Sequence, residues 1–419
     1  MTERLLQYIW QFQYFSGSEL QTTQGENLTV LFPGKPNTNQ GPDFLNAQIR
    51  INNTILAGSV ELHLKTSQWL EHGHQHDPNY RNVVLHVVFE DDSKPASPHI
   101  PILELQPRIS VLLLQRYQNL MASGSFISCA GNIADVKDIV WISWKERLLA
   151  ERLTRKANLI FDFLQKNNGH WEEAFWWLLA RNFGTKVNGE VFEAIAQSIP
   201  LNILAKHKSQ IHQLESLLLG QAGLLKGEFR DKYAWLLQRE YDFLKNKYNL
   251  KSVPAPVHLL RMRPDNFPTV RLAQLAMLVQ QSAHLFSKIL ELEQLTAVKK
   301  LFDVTANDYW HYHYTIDEPS GFKKKKIGQE MTDNLIINSV VPVLFAYGNY
   351  HHEEQYKTKA LRWLEEIAAE QNAITRGFAG LNLPHKSAYD SQAYIELKTQ
   401  YCDHRHCLQC AVGNVLLKS

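Results

Sequence analysis

The chain has 419 residues, 44% of them hydrophobic and 11% aromatic, with ten tryptophans. That length and composition exclude a disordered chain and a lone small module, so two domains with cores of their own are expected. Forty-four Lys and Arg stand against forty-two Asp and Glu, a net charge of +2, which excludes a global field steering the chain to nucleic acid or anionic membrane.

Leu5, Leu6, Ile9, Phe12 and Phe15 fall near helical spacing and "SGSE" breaks the run, which predicts one short helix. The start "MTERLLQYIWQFQYF" has an early acid and no unbroken apolar core, and does not read as a signal peptide. The longest apolar runs, such as "LIINSVVPVLFAYG", fall short of a membrane span, so a cytoplasmic protein with no membrane partner is expected. From Leu28 to about Leu105 the texture is β: "LTVLFPG", "AQIRI", "TILAGSVELHLK", "VVLHVVFE" and "IPILEL" are short, rich in branched residues and bounded by turn formers. "INNTI" predicts a hairpin pairing Ala47–Ile51 with Ile55–Lys65. "VVLHVVFE" is apolar on both faces, the pattern of a central strand covered from two sides, and so predicts a mixed sheet flanked by helices.

From Ile139 onward the pattern is helical, beginning with "WISWKERLLAERLTRKANLIFDFLQKN" and its inner stripe of Leu148, Leu149, Leu153, Ile160, Phe161 and Leu164. The small, polar stretch "MASGSFISCAGNIADV" at 121–136 predicts the boundary, giving an α/β domain over 1–125 and an all-α domain over 126–419. "GFKKKKIGQE", the one charge block, reads as a solvated loop.

Alternation along "SVELHLK" puts Glu61, His63 and Lys65 on one strand face, and Val60, Leu62 and Leu64 on the other. Asp43, after Pro42, opens the preceding strand, and hairpin pairing would bring its carboxylate beside Glu61. Two such carboxylates bind a divalent cation through oxygen, with Lys65 or His63 positioning water and charge. This arrangement resembles the PD-(D/E)XK restriction-endonuclease-like phosphodiesterase superfamily, whose core is an α-β-β-β-α-β unit with Pro-Asp on one strand and Glu-x-Lys on the next. The resemblance implies a nuclease acting on DNA or RNA, Mg²⁺ or Mn²⁺ on Asp43 and Glu61, and a lysine two residues after the glutamate. Here that position holds His63, and Lys65 stands two residues further on.

"HGHQHD" and the next strand add His72, His74, His76 and His86, which makes a histidine-ligated metal hydrolase centred on His63, His74 and His86 a second expectation. A non-catalytic scaffold gripping nucleic acid or protein is the third. In "CDHRHCLQC", Cys402, Cys407 and Cys410, completed by Cys129, could hold zinc or an iron–sulfur cluster, or could be buried thiols packed in a helix. Arg261, Arg263 and Arg271 near a helix start are candidate phosphate contacts. His311 and His313 in "NDYWHYHYTID" suit base stacking or a packed surface. Over its whole length, on "QYIWQFQYF", "NQGPDFLNAQI", "GSVELHLKTSQWLEHGHQHDPNYRNVVLHVV", "LLRMRPDNFPTVRLAQLA" and "CDHRHCLQCAVGNVLL", the chain resembles an uncharacterised bacterial family of unknown function.

Overall fold

In the computed structural model, residues 1–92, 100–259, 266–282 and 284–418 are described. Helix α1 (Glu3–Gln11) opens where the Thr2 hydroxyl accepts the Leu5 N–H, and it buries Leu5, Leu6, Ile9 and Trp10. It ends before Phe15, because Gln13 turns into the left-handed region at φ 55°.

Two compact units divide the chain, Met1–Trp144 together with Leu397–Ser419, and Lys145–Glu396. The first unit contains strands β1 (Leu28–Phe32), β2 (Lys35–Pro36), β3 (Phe44–Ile51) and β4 (Thr54–Lys65), then the helical turn α2 (Gln68–Glu71), β5 (Val83–Glu90), β6 (Ile102–Glu104) and helix α3 (Val111–Ala122). The sheet order is β1-β3-β4-β5-β6, with β2 also beside β3. Pairs β1/β3 and β3/β4 are antiparallel, while β4/β5 and β5/β6 are parallel. The expected hairpin forms at Asn52, whose φ of 52° supplies the turn. The mixed sheet with helices agrees with the expectation for this part of the chain.

Two strands are buried on both faces where the chemistry sits: β4 from Gly58 to His63, and most of β5. A methyl group added at Gly58 would lie 2.4 Å from the Asn82 carbonyl oxygen, so glycine lets the chain entering β5 close against β4. The core face carries Val60, Leu62, Leu85 and Val87, packed with Leu5, Leu6 and Ile9 of α1.

The expected division at 125/126 differs from the observed units in two ways. The first unit runs on to Trp144, and the terminal stretch returns to it rather than staying with the helices. The return has a physical cause in packing: Leu417 is buried with the α1 and sheet residues, and the Tyr8 hydroxyl bonds Asn414.

The second unit is helical, as expected. Helix α4 (Asp138–Lys166) contains the division point, and α5 (Trp171–Phe183), α6 (Thr185–Ser198), α7 (Leu201–Lys206), α8 (Ile211–Gln221), α9 (Lys232–Tyr248) and α10 (Pro268–Gln281) follow. Asp231 caps α9 by accepting from Tyr233 and Ala234 N–H groups, and Pro268 occupies the first turn of α10. Among the described residues no helix is long and apolar enough to cross a membrane.

Glu215 of α8 is fully buried and accepts a 2.8 Å hydrogen bond from the Tyr233 hydroxyl. Burial pushes its carboxyl from the ordinary value near 4.5 up to about 7. Between those values the folded protein keeps a proton that the unfolded chain has lost, so stability falls as pH rises through this window and levels off above it. Glu215→Gln is therefore expected to be more stable than wild type at pH 8, by on the order of 2–3 kcal/mol. The gain should vanish near pH 4, and urea unfolding at the two pH values checks this.

Candidate metal centre

On β4, side chains alternate so that Ser59, Glu61 and His63 face away from the core of Val60 and Leu62. Glu61 stands in register with His86 of the parallel strand β5, and registered neighbours share a face, so His86 joins the same surface. Residues 66–80 cover that surface. The segment is tied down at its start by Thr66 Oγ1 donating to Asp91 (2.7 Å) and by Ser67 donating from N and Oγ to Asp92 (both 2.9 Å). Gly73, at φ 73°, turns the chain after α2, and Asp77 caps the next turn by accepting the Asn79 N–H. Trp69 is buried at 3% exposure and meets His63 and His86, while the Tyr80 ring stacks on His74 at 3.9 Å between centroids.

Five polar side chains converge there. His63 Nε2 lies 3.1 Å from His72 Nδ1 and 3.6 Å from Glu61 Oε1. His74 Nε2 lies 3.5 Å from the same Glu61 oxygen and, although buried, makes no hydrogen bond among the described residues. His63 Nδ1 lies 2.9 Å from His86 Nε2. Ligand atoms of His63, His72 and His74 all fall within 4.8 Å of one another, close enough to share one ion. A tetrahedral site with bonds of about 2.0–2.1 Å has edges of roughly 3.3–3.4 Å, which the measured separations approach. His72 is exposed while His63 is not, so the trio opens to solvent on one side.

Asp43 adjoins the cluster. Its N–H donates to Glu61 Oε2 (3.0 Å), its Oδ2 accepts the Leu62 N–H (3.0 Å), and its Oδ1 accepts from Gln7 Nε2 of α1 (2.8 Å). Burial and, next, the Asp43 charge push Glu61 up to about 8, while burial pushes Asp43 to about 6. Burial, followed by the neighbouring imidazoles, drives His63 down to about 3; burial likewise takes His86 to about 4 and lowers His74. The imidazoles are thus held neutral, the form that binds a metal. Asp43 and Glu61 are crowded together, and a divalent ion would favour their ionised forms and the neutral His63 and His74 at once.

The structure brings together Asp43, Glu61, His63, His72, His74 and His86. The geometric trio contains His72 where His86 was expected; His86 sits behind His63, its Nε2 2.9 Å from His63 Nδ1. An ion on His63 Nε2 leaves the proton on Nδ1, donated to His86. His76 is exposed on its turn, outside the trio. Lys65 is not brought in. Its ammonium is 54% exposed and lies 4.0 Å from Asp92, because four strand residues separate it from Glu61 by about 13 Å. Nothing in the alternation pattern indicated that His72 and His74 would fold back over the strand; the closeness of "HGHQHD" to "ELH" was the available signal.

All four cysteines, Cys129, Cys402, Cys407 and Cys410, line one small cavity of the first unit. A continuous terminal helix does not form. The helix Ala388–Glu396 passes into a wider turn at Leu397–Cys402, and a new helix starts at Ala411. Burial raises all four thiols. Arg261 and Arg263 lie outside the described residues, whereas Arg271 is buried on α10 of the helical unit. His311 and His313 are both buried, as a packed surface requires.

A family model described as "Protein of unknown function (DUF2851)" matches residues 3–373, and the chain belongs to that family. No curated protein and no solved structure matches the chain.

Proposed function

We propose that this DUF2851 member is a metal-dependent phosphodiester hydrolase acting on nucleic acid, with its ion on His63, His72 and His74 beside Glu61 and Asp43. The observation that carries the reading is the convergence of three imidazoles with two crowded carboxyl groups over one sheet face, open to solvent at His72. The phosphodiesterase class is supported by the pairing of Asp43 with Glu61 across β3 and β4, and by the order α1, four strands in antiparallel pairing, α2, β5. Both belong to the restriction-endonuclease-like pattern. Imidazole ligands favour Zn²⁺ over Mg²⁺ and Mn²⁺, which prefer oxygen ligands such as Asp43 and Glu61.

The ion would supply Lewis acidity and stabilise negative charge developing on the phosphoryl oxygens. The chain does the rest. Glu61 Oε1 faces the imidazoles and is placed to take a proton from an attacking water, while the Asp43 N–H holds Glu61 Oε2 in that orientation. His63 occupies the place of the superfamily's lysine, so the ion and not an ammonium would carry charge stabilisation. Tyr80, whose hydroxyl burial and the Glu61 and Asp43 charges push up to about 12, stays protonated and can donate to a leaving oxygen.

Purified protein loaded with Mn²⁺ or Zn²⁺ should cleave single- or double-stranded DNA or RNA. Glu61→Gln should lower the rate by about 10²–10⁴-fold and Asp43→Asn by less. Metal bound at one equivalent with no cleavage of any of these substrates would defeat the hydrolase reading and favour a nucleic-acid or protein scaffold.

The cysteine cavity supports a second, structural metal held by Cys129, Cys402, Cys407 and Cys410. Among the described residues only the histidine trio has its ligand atoms within 4.8 Å of one another.

A further inference from the structure

We infer that a cationic cleft in the helical unit binds a ligand carrying several phosphates and grips it by charge and hydrogen bonding. The cleft encloses about 1260 Å³, above the roughly 300–1,000 Å³ of an ordinary small-ligand pocket. Its walls come from α4, α5, the start of α6, α10 and the helix Gln329–Leu335. Arg152, Arg181, Lys186, Arg271 and the four lysines 323–326 line it, against the carboxylates of Glu190 and Glu330. The whole chain carries only +2, so this concentration is local. Nothing in the metal centre of the first unit enters the argument.

Some of that charge is already matched: Arg152 to Glu396 at 3.2 Å, Arg181 to Glu193 at 2.5 Å, and Lys326 to Asp303 at 2.7 Å. Arg271, 5% exposed, is fixed in the cleft wall, with Nη1 donating to Gln274 Oε1 (2.9 Å) and Nη2 to Asn266 Oδ1 (2.7 Å) among its contacts. Lys325 is 4% exposed, and its buried Nζ makes no hydrogen bond among the described residues but lies 3.4 Å from the centre of the Tyr314 ring. Lys186 and Lys324 are exposed and have no carboxylate partner among the described residues.

Lys323, Lys324 and Lys326 are exposed, as the composition suggests, while Lys325 is buried and the backbone of the run is pinned. The Lys325 carbonyl accepts from Ala306 N–H (2.9 Å) and Gln274 Nε2 (3.2 Å), and the Lys323 N–H donates to the His311 carbonyl (2.8 Å). Gln274 therefore braces Arg271 with one end of its amide and the lysine run with the other. Burying an ammonium without a hydrogen-bonded anion costs several kcal/mol, and an arriving phosphate offsets that cost. Asn182, Asn266, Asn334 and Asn338 supply amides for further phosphate or sugar oxygens, and His258 is the one aromatic ring among the described lining residues.

The test is fluorescence anisotropy of a labelled single-stranded oligonucleotide in EDTA, so that the metal centre cannot contribute, with sodium tripolyphosphate as competitor. The double variant K186E/K324E changes exposed side chains and should fold normally by circular dichroism; it is expected to weaken binding by about tenfold or more and to flatten the salt dependence. Lys208→Glu, an exposed lysine outside the cleft, should change affinity less than twofold. Competition by tripolyphosphate identifies a free polyphosphate as sufficient, and binding of the strand without competition identifies the nucleic-acid backbone; both support the site. Absence of saturable binding to either probe, or equal weakening by Lys208→Glu, overturns it.

Discussion

Replacing His63 with alanine is expected to abolish stoichiometric metal retention and, with it, metal-dependent cleavage. His63 is the hub of the cluster: its Nε2 faces His72 and Glu61, and its Nδ1 meets His86. Loss of an outer partner such as His86 costs about 10–100-fold in metal affinity, and loss of a direct ligand should cost more. The expected order is therefore His63→Ala and His74→Ala most severe, His86→Ala intermediate, and His76→Ala, on an exposed turn, without effect. Elemental analysis after dialysis, with a competing chelator to set the affinity scale, reads this order directly. An order in which His76 matters as much as His74 would sink the trio. His63 is 1% exposed, so circular dichroism must show that the variant still folds. The same measurement separates the two sites: iron or zinc that survives His63→Ala and disappears with Cys407→Ser belongs to the cysteine cavity.

Gly220→Ala is expected to destabilise the helical unit by about 3 kcal/mol or more. Helices α8 and α9 approach so closely that a methyl group at Gly220 would fall 2.1 Å from Tyr241 Cδ2 and 2.2 Å from its Cγ. Tyr241 is itself buried at 7% exposure, so neither partner can yield without moving backbone. Gly321→Ala, where nothing lies within 4 Å, serves as the control and should change stability by less than about 0.5 kcal/mol. Adding Tyr241→Ala to Gly220→Ala should recover part of the loss if the clash is its source, a coupling read from denaturant midpoints. Additive losses in the double variant would refute the close approach as the cause.

Much of the first unit was legible because strand chemistry is local. Alternation in "GSVELHLK" assigns Val60 and Leu62 to the core and Glu61 and His63 to the opposite face, and the "INNTI" turn fixes which residues of β3 meet β4. The adjacency of Asp43 and Glu61 needs more: the turn's register alone sets Asp43 opposite Leu62, and a shift between Phe44 and Ala47, with Asn46 at φ 58°, brings it beside Glu61. Lys65 shows where the same reasoning stops. Sharing a face does not mean sharing a site, because each strand repeat carries a side chain almost 7 Å along. His72 and His74 depended on a reversal at Gly73, where a single residue in the left-handed region turns the segment back over the sheet.

The amino-acid sequence by itself determined the elements, the hairpin register, the buried face of each strand and the helical character of the second part, since periodicity and turn chemistry act over a few residues. Only the tertiary structure decided which histidines meet, that Cys129 joins cysteines near the far terminus, and that the lysine run lines a cleft with Lys325 buried. The reason is physical. Bringing chain-distant groups together costs loop-closure and desolvation free energy, which is offset by burial of whole packed faces; the groups that meet are chosen by that global packing, not by their own local preferences.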